Sequence, residues 1–350
     1  MLGTRHRIVW QPRRHFLTWV RGGAHHDIRT QAMPAPVSWA RASWTDPFAR
    51  YADKHSTVPA AVHCLSLSDD EVMALDGESG AEFLARMGVT PAYVQHFWGF
   101  LAHAILNVPI EEVSAAALVS FFRQLVGHSS MEMGFSDGGL GDLLAPAKDI
   151  LAGLGCRILM NTEVTRFLGD GRCTGVELDD GRRLVARRGV VNTLPPQTLL
   201  PLLPREWLQQ HASIAALERL KPCMYYSVYI WFDRKISGGR QMWARTYSRD
   251  DLNCEFYDFS EIYSGVDSRG VPWRERPSFV GSNVIDAGRA GGMTDEEIVQ
   301  RTLDEMLETY DAVREARVLH SVVNRVPMAI HRPVVGTESL RPAQASPVEG

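Results

Sequence analysis

Cysteine and histidine are the first residues to consider for chemistry, because thiolates and imidazoles serve as nucleophiles and metal ligands. The five cysteines form no CxxC pair and stand at positions 64, 156, 173, 223 and 254. This spacing indicates neither a zinc ribbon nor a disulfide framework and favours free, buried thiols. His25, His26 and Asp27 are adjacent, but neighbouring strand residues point to opposite faces, and the sequence contains no HExxH or HxH. We therefore expect no metal site.

The acid–base and nucleophilic residues form no catalytic set that the sequence alone reveals. No Ser/His/Asp combination and no spaced pair of carboxylates stands out, so no catalytic side chain is predicted. This pattern is compatible with chemistry carried by a bound cofactor, because the protein then supplies orientation, shielding and electrostatics.

Aromatic side chains are the second candidate set, with 13 Phe, 9 Trp and 9 Tyr. Several recur at helical spacing or on one face of a strand, where they would line a tunnel for a long hydrocarbon. Packing in an ordinary core is the alternative. The residues concerned are Phe97, Trp98, Phe121, Phe122, Tyr225, Tyr229 and Trp231.

The first 130 residues are predicted to form a few strands followed by helices. Residues 7–30 have the pattern of paired strands, and the pattern from 38 to 127 is helical. Ser68 followed by three acids, and Thr90 followed by a proline, are typical helix starts. Pro109 is predicted to open a third helix that ends at position 127.

The pattern changes at position 135, where a glycine-rich turn leads into a helix that ends at Gly155. β-type residues follow over 156–168. Turns at 169–171 and 180–181 then delimit a small antiparallel ribbon, and a strand returns to about position 193. The segment is predicted to be an α/β unit with an antiparallel ribbon.

The last part of the chain is predicted to be an antiparallel sheet flanked by helices. A strand over 224–233 alternates strictly, and Thr294 caps an amphipathic helix with acids in its first turn. The other expected elements are a helix over 205–219, strands near 241–247, 253–259 and 278–285, and a long strand over 316–330. The predicted fold class is mixed α/β (α+β), with a mixed-sheet domain and a helical insertion.

Three segments carry ordered motifs that resemble one known family. Residues 138–204 contain a glycine pair, a helix ending in glycine, and the runs "TEVTRF", "GVELDDG" and "VVNTLPP". The segment 97–118 contains "FWGFLAHAILNVP", and the segment 324–350 contains "SLRP". This order resembles the FAD-dependent amine-oxidase-type flavoproteins, on the branch of the phytoene and carotene desaturases and the squalene-associated desaturases. The resemblance implies FAD as cofactor and a partial FAD-binding Rossmann-like domain with a β-meander.

The departures from the family pattern concern the two ends of the FAD site. The family opens with a strand and a GxGxxG turn that holds the pyrophosphate at a helix N-terminus, and no GxGxxG occurs in this sequence. The "AGD" turn with which the family closes is also absent. We therefore expect a chain truncated at both ends, with weak or absent FAD binding.

The resemblance also implies individual cofactor-binding residues. Val164 falls where the family's main chain holds the adenine, with an ordinary buried strand valine as the alternative. The remaining positions, each with a plain turn or a solvated side chain as its alternative, are Gly138, Gly139, Thr193, Leu194, Pro195 and Arg341. The implied domains are a sheet domain (1–36 and 206–335), a helical substrate- and membrane-facing region (37–134), and a remnant of the FAD-binding domain (135–205 and 336–350).

Composition and the N-terminus limit the other function classes. The chain has 350 residues, 45% hydrophobic and 22% charged, with a net charge of −4, which excludes general disorder and argues against nucleic-acid binding. Five arginines precede the first acid, but FLTWV is too short for a signal peptide. We expect a chain that begins inside a folded domain and is cytoplasmic, with a peripheral membrane contact through residues 90–126 left open.

The function that these expectations favour is hydride transfer from an apolar isoprenoid, of carotenoid or squalene type, to flavin N5. An amine oxidase proper is the first alternative. A truncated, non-catalytic fragment or a flavin-free lipid-binding remnant is the second.

Overall fold

The structure, a computed structural model, describes residues 2–127 and 132–350, so Met1 and residues 128–131 of the predicted helical region lie outside it. Its core is a seven-stranded sheet of order β12-β8-β11-β10-β9-β2-β3, beside the pair β1-β4 and the meander β5-β6-β7. The strands are β1 (Ile8–Trp10), β2 (His15–Arg21), β3 (Ala24–Arg29), β4 (Gly134–Ser136), β5 (Val164–Leu168), β6 (Gly175–Leu178), β7 (Arg183–Val185), β8 (Pro222–Phe232), β9 (Met242–Ala244), β10 (Glu255–Asp258), β11 (Phe279–Val284) and β12 (Val318–His331).

The helices lie mainly between β3 and β4 and around the meander. The α-helices are α1 (Ala40–Thr45), α2 (Tyr51–Ser66), α3 (Asp69–Ala74), α4 (Gly80–Arg86), α5 (Pro91–Tyr93), α6 (Gly99–Leu101), α7 (Ala115–Gly127), α8 (Leu140–Leu144), α9 (Pro146–Gly153), α10 (Pro196–Leu199), α11 (Arg205–Gln210), α12 (Ala212–Ala215), α13 (Phe259–Ile262), α14 (Asp295–Leu307) and α15 (Ala312–Glu315). Short 3-10 helices are Thr4–Arg7, Val37–Trp39, Leu75–Gly77, Leu200–Leu202, Ala216–Arg219, Trp273–Glu275, Ala287–Ala290 and Glu338–Leu340.

The helix starts expected from the sequence are confirmed. Ser68 and Thr294 each accept a hydrogen bond from the backbone N–H three residues on, while the carboxylate of the Glu at that position accepts one from the backbone N–H of the cap residue. Thr90 caps α5 through the N–H of Tyr93. Ser79 forms a third capping box at the start of α4. Each box satisfies two of the N–H groups that a helix start leaves without partners.

The alternation predicted for the long strand is also confirmed, because β8 lies at the centre of the sheet with β11 and β12 on its two sides. Tyr226, Val228, Ile230 and Phe232 are buried on one face. That face packs against α14 in one hydrophobic core. The opposite face of the sheet and the helices α2–α7 share a second core.

The meander and the last residues of the chain form a third, much smaller core. Phe167, Cys173, Trp207 and Val348 are its buried members. The main chain joins the same parts, because Cys173 N–H donates to the Glu349 carbonyl at 2.7 Å. The end of the chain thus packs against the meander, while the predicted domain boundaries stay a prediction.

Three local predictions are wrong. β1 pairs with β4, not with β2; β2 instead forms its hairpin with β3. Residues 156–163 and 186–195 are not strands, and the turn over 109–114 precedes α7, which begins at Ala115. A strand needs a partner for its main-chain groups, and the apolar side chains of 156–163 and 186–195 are largely exposed, as at Met160 and Val191.

Candidate functional site

An apolar cavity of about 360 Å³ lies between β2–β3 and the helices α1, α2 and α5–α7. Two of the aromatic residues singled out in the sequence, Phe97 and Phe122, line it. Three tryptophans that the sequence did not single out, Trp19, Trp39 and Trp44, line it as well. The cavity therefore has the apolar, aromatic lining that a hydrocarbon ligand requires.

Polar side chains interrupt this apolar lining at one place. Asp46 and His96 line the cavity, and His96 Nε2 lies 2.6 Å from Asp46 Oδ2. Asp46 Oδ1 accepts the backbone N–H of Phe48 at 2.8 Å. Burial raises the pKa of Asp46, but the hydrogen bonds from His96 and from the Phe48 N–H outweigh it, so the pKa lies below its ordinary value. Asp46 is therefore a carboxylate at neutral pH.

Lys54 belongs to the same polar group. Its ammonium donates to the backbone carbonyls of Trp44, at 2.9 Å, and of Asp46. The Lys54 side chain is buried and lines the cavity. Buried ammonium groups are costly unless they are hydrogen-bonded, and here two main-chain acceptors meet this need.

The helix that carries His96 and Phe97 is irregular. Between α5 and α6, Val94–Trp98 form a π-helical segment, and Ala102–Leu106 form a second one after α6. π-helical turns widen the helix and often lie at functional sites. Here the first of them places His96 and Phe97 at the cavity wall.

The other aromatic residues named from the sequence do not line this cavity. Trp98 is fully buried behind it and donates its indole N–H to Thr57 Oγ1 at 2.9 Å. Phe121 packs against the helical core. Tyr225, Tyr229 and Trp231 lie on β8, away from the cavity lining. The helix and strand aromatics therefore do not line this cavity together, and the contact of the remaining ones with a substrate stays a prediction.

One of these strand tyrosines, Tyr225, instead lies near a buried carboxyl group. Glu255 on β10 shares one face of the sheet with Tyr257, which hydrogen-bonds to it, and Asn283 donates to Glu255 Oε1 at 3.4 Å. Burial raises the pKa of Glu255 to about 7, while those two hydrogen bonds limit the rise. Burial also raises the pKa of the neighbouring Tyr225. A carboxyl group that titrates near neutral pH is a candidate proton carrier.

The main chain of Val164 lies at an edge of the meander. It starts β5, the edge strand of the meander, opposite Leu178. Leu178 N–H donates to the Arg182 carbonyl and Asp179 N–H to that of Glu163, each at 2.9 Å. Main-chain groups of successive strand residues point to opposite sides, so the N–H and C=O of Val164 face the free edge. Such a donor–acceptor pair is what the expected adenine contact needs, and that contact stays a prediction.

The other cofactor positions lie in two different parts of the fold. Gly138 has φ +101° and precedes α8; Gly139 has open space around its Cα. Both follow β4, and the N–H of Asp137 ties this turn to the Arg7 carbonyl near β1. Thr193, Leu194 and Pro195 form an exposed turn after the meander.

Arg341 lies apart from the meander. It pairs with Glu338 at 3.0 Å. The backbone N–H groups of Glu338 and Ser339 donate to Asp76 in the helical region. Its approach to a flavin therefore stays a prediction.

The fold is shared with oxidoreductases of known structure. An oxidoreductase from Methanosarcina mazei superposes with a TM-score of 0.66 at 16% identity, over 97% of this chain and 75% of the other. Cyclohexylamine oxidase from Brevibacterium oxydans gives a TM-score of 0.62 at 16% identity, and the superposition covers 93% of this chain and 70% of the other. The predicted mixed α/β fold is thus confirmed.

The sequence places the chain more narrowly. The model of the family "flavin containing amine oxidoreductase" matches residues 12–350, and the chain belongs to this family. The FAD expected from the sequence is therefore confirmed as the family's cofactor, and the oxidoreductase class with it.

Curated relatives lie on the desaturase branch. The 15-cis-phytoene desaturase of Narcissus pseudonarcissus is 25% identical over 297 residues, 80% of this chain and 49% of that protein. The enzymes of Arabidopsis thaliana and Synechococcus elongatus are 26% and 23% identical. The chain spans about half the length of the first of these relatives.

The residues that sequence reasoning missed are those that meet only in three dimensions. Asp46 and His96 are 50 positions apart and form their pair through the packing of separate helical segments. Glu255 lies in a predicted strand, and the sequence pattern does not show that the face of the sheet carrying Glu255 is buried. The one available signal in the sequence was the presence of a charged residue within a predicted strand.

Proposed function

We propose that the chain functions as an FAD-dependent oxidoreductase that takes hydride from an apolar isoprenoid of carotenoid or squalene type. The observation that carries the proposal is the aromatic cavity of about 360 Å³. Similarity to the phytoene desaturases over about 80% of the chain supports the same substrate class.

When bound, the flavin supplies hydride acceptance at N5. The chain's own residues bind and orient: the free edge at Val164 would hold adenine, and the cavity walls would hold the hydrocarbon and exclude water. Loss of hydride from one carbon would leave a cation, and the double bond would form when the adjacent carbon loses a proton to a base or to water; the sequence predicts no side chain for that second step.

We further propose a peripheral contact with a membrane surface, at its cytoplasmic side. The apolar side chains of 90–126 that we expected at the bilayer are mostly buried in the helical core. Exposed apolar residues lie instead at the cavity mouth, where Val37, Val58 and Val62 line the cavity and are 49%, 44% and 62% exposed. Among the described residues, no helix is long and apolar enough to span a membrane.

Reduction of added FAD tests the enzymatic proposal. The chain is mixed with excess FAD without oxygen, and phytoene or squalene in detergent is added while the visible flavin absorption is followed. We expect bleaching with the isoprenoid, and its loss in Ala61→Phe, which fills the cavity. Unchanged FAD binding and thermal unfolding of this variant serve as controls.

Two outcomes would favour the alternatives. The likeness to cyclohexylamine oxidase and the buried Asp46 carboxylate favour a cationic amine as the second candidate substrate. Bleaching by cyclohexylamine but not by isoprenoids would support the amine oxidase. No flavin binding at all, together with retained isoprenoid binding, would support the non-catalytic lipid-binding remnant.

Co-sedimentation with liposomes tests the membrane contact. Val62→Asp at the cavity mouth is expected to reduce the bound fraction. Met73→Asp on α3, also exposed but away from the cavity lining, is the matched control. Equal sedimentation of both variants and the unmodified chain would contradict the assignment of this surface.

A further inference from the structure

The apolar cavity contains a buried polar group that a pure hydrocarbon ligand would leave unused. Asp46, Lys54 and His96 line it and are only 5%, 5% and 6% exposed. Charged groups are rarely buried unless their hydrogen-bonding capacity is used. The cavity is therefore amphiphilic, apolar along most of its wall and polar at one place.

Among the buried polar side-chain atoms of these three residues, only one on His96 has no hydrogen-bond partner at all. Asp46 accepts at both carboxylate oxygens, from Phe48 N–H and from the imidazole. Lys54 donates to two backbone carbonyls, and its ammonium lies 4.9 Å from the centre of the Tyr51 ring. His96 Nδ1 is buried and has no hydrogen-bond partner.

The pairing with Asp46 decides which group His96 can accept. A carboxylate only accepts hydrogen bonds, so the proton of the imidazole lies on Nε2. In the neutral ring, Nδ1 is then an acceptor. The matching ligand group is an O–H donor, and a hydroxyl group is the donor that an otherwise apolar molecule can carry.

We propose that the cavity takes an isoprenoid alcohol, whose hydroxyl group donates to His96 Nδ1 while its hydrocarbon chain lies along Trp19, Phe97 and Phe122. The inference rests on the proposed function, because it assigns a narrower substrate class to the same cavity. The Asp46 carboxylate is a positioning residue, which acts on the ligand only by fixing the proton and the orientation of His96.

Ligand binding is measurable through the tryptophans of the wall. Geranylgeraniol and a hydrocarbon of the same carbon skeleton without the hydroxyl group are titrated separately into the chain, and the quenching of tryptophan fluorescence is recorded. We expect the alcohol to bind about 3- to 10-fold more tightly than the hydrocarbon, because one buried hydrogen bond between neutral groups contributes a binding free energy of this size.

Variants separate the hydroxyl contact from the apolar contacts. His96→Phe keeps an aromatic ring but removes the acceptor, so it should abolish the preference for the alcohol and retain hydrocarbon binding. Asp46→Asn should reduce the preference, since an amide can donate to Nε2 and move the proton to Nδ1. His103→Phe, a buried histidine on the same helix that does not line the cavity, is the matched control and should keep the full preference.

The comparison on the unmodified chain decides the inference even if a variant fails to fold. Equal affinity for the alcohol and the hydrocarbon would overturn the hydroxyl contact and leave the apolar cavity intact. Binding of neither ligand would overturn the proposed substrate class itself, and the inference with it.

Discussion

Glu255 shows how a single buried carboxyl group links the core of the sheet to pH. Its neutral form suits the surroundings, because Tyr257 and Asn283 are uncharged partners and neither compensates a negative charge. Asp46 is the opposite case, since His96 and a backbone N–H stabilise its charged form. The same residue type thus reaches opposite ionisation preferences through its neighbours.

We expect Glu255→Gln to stabilise the chain at alkaline pH. The folded-state pKa of about 7 exceeds the ordinary value of 4.5, so the stabilisation that Glu255 contributes is fully present below pH 4.5 and is lost as the pH rises to 7. The variant, which cannot ionise, should be more stable than the unmodified chain at pH 8 by on the order of 2 kcal/mol. At pH 5, half a unit above the ordinary value of 4.5, only about a quarter of this advantage should remain.

Urea unfolding at the two pH values measures this difference. Glu296→Gln, which removes an exposed carboxylate from the first turn of α14, is the control for loss of charge alone. A variant of Glu255 with the same relative stability at both pH values would show that this carboxyl group ionises normally.

At the scale of elements, helix packing in the helical region depends on a glycine. Gly80 begins α4, and a Cβ built on it would lie 2.8 Å from Leu118 Cδ2 and 2.9 Å from Val113 Cγ1. Its N–H also donates to the Val113 carbonyl at 2.8 Å. The start of α4 therefore approaches α7 more closely than any side chain allows.

We expect Gly80→Ala to destabilise the chain by about 1–3 kcal/mol, because overpacking displaces the side chains around it. Gly77→Ala is the matched control, since nothing lies within 4 Å of a Cβ there. Thermal unfolding of both variants measures the effect. If Gly80→Ala were as stable as the control, the neighbouring side chains would accommodate the added methyl group without any loss in the free energy of unfolding.

Sequence patterns predicted the elements whose structure depends on residues close together in the chain. The capping boxes at Ser68 and Thr294 and the alternation of β8 were predictable, because each depends on residues a few positions apart. The pairing of β1 with β4 joins Val9 to Phe135, and no local pattern specifies such a distant partner. The Asp46–His96 pair was unpredictable for the same reason.

At the scale of the whole molecule, burial is uneven. The two cores on either side of the sheet are closely packed, whereas the meander and the segments around it share only a small third core. Large apolar side chains there are exposed, among them Leu140, Leu154, Met160, Val185 and Val191 at 74–91%. Exposed apolar surface of this kind marks a contact site or an aggregation risk.

We expect this surface to bind a hydrophobic fluorescent dye in the native state. Val191→Glu combined with Leu154→Glu should lower dye fluorescence and self-association, with little change in the free energy of unfolding, since both side chains are exposed. Dye fluorescence at several protein concentrations, with light scattering, measures both effects. Thr198→Glu controls for the added charge. Unchanged dye binding would place the apolar contact elsewhere.

The π-helical segment Val94–Trp98 makes the cavity sensitive to chain length as well as to side-chain type. A π turn accommodates one residue more than an α turn, so deleting Gln95 would let the segment relax into a regular helix. A π turn takes up one extra residue without rotating the turns on either side, so the helix before and after the deletion would keep its phase. The change would fall on the segment itself, where His96 would shift relative to Asp46, and a single-codon deletion would alter the pocket without replacing any side chain that lines it.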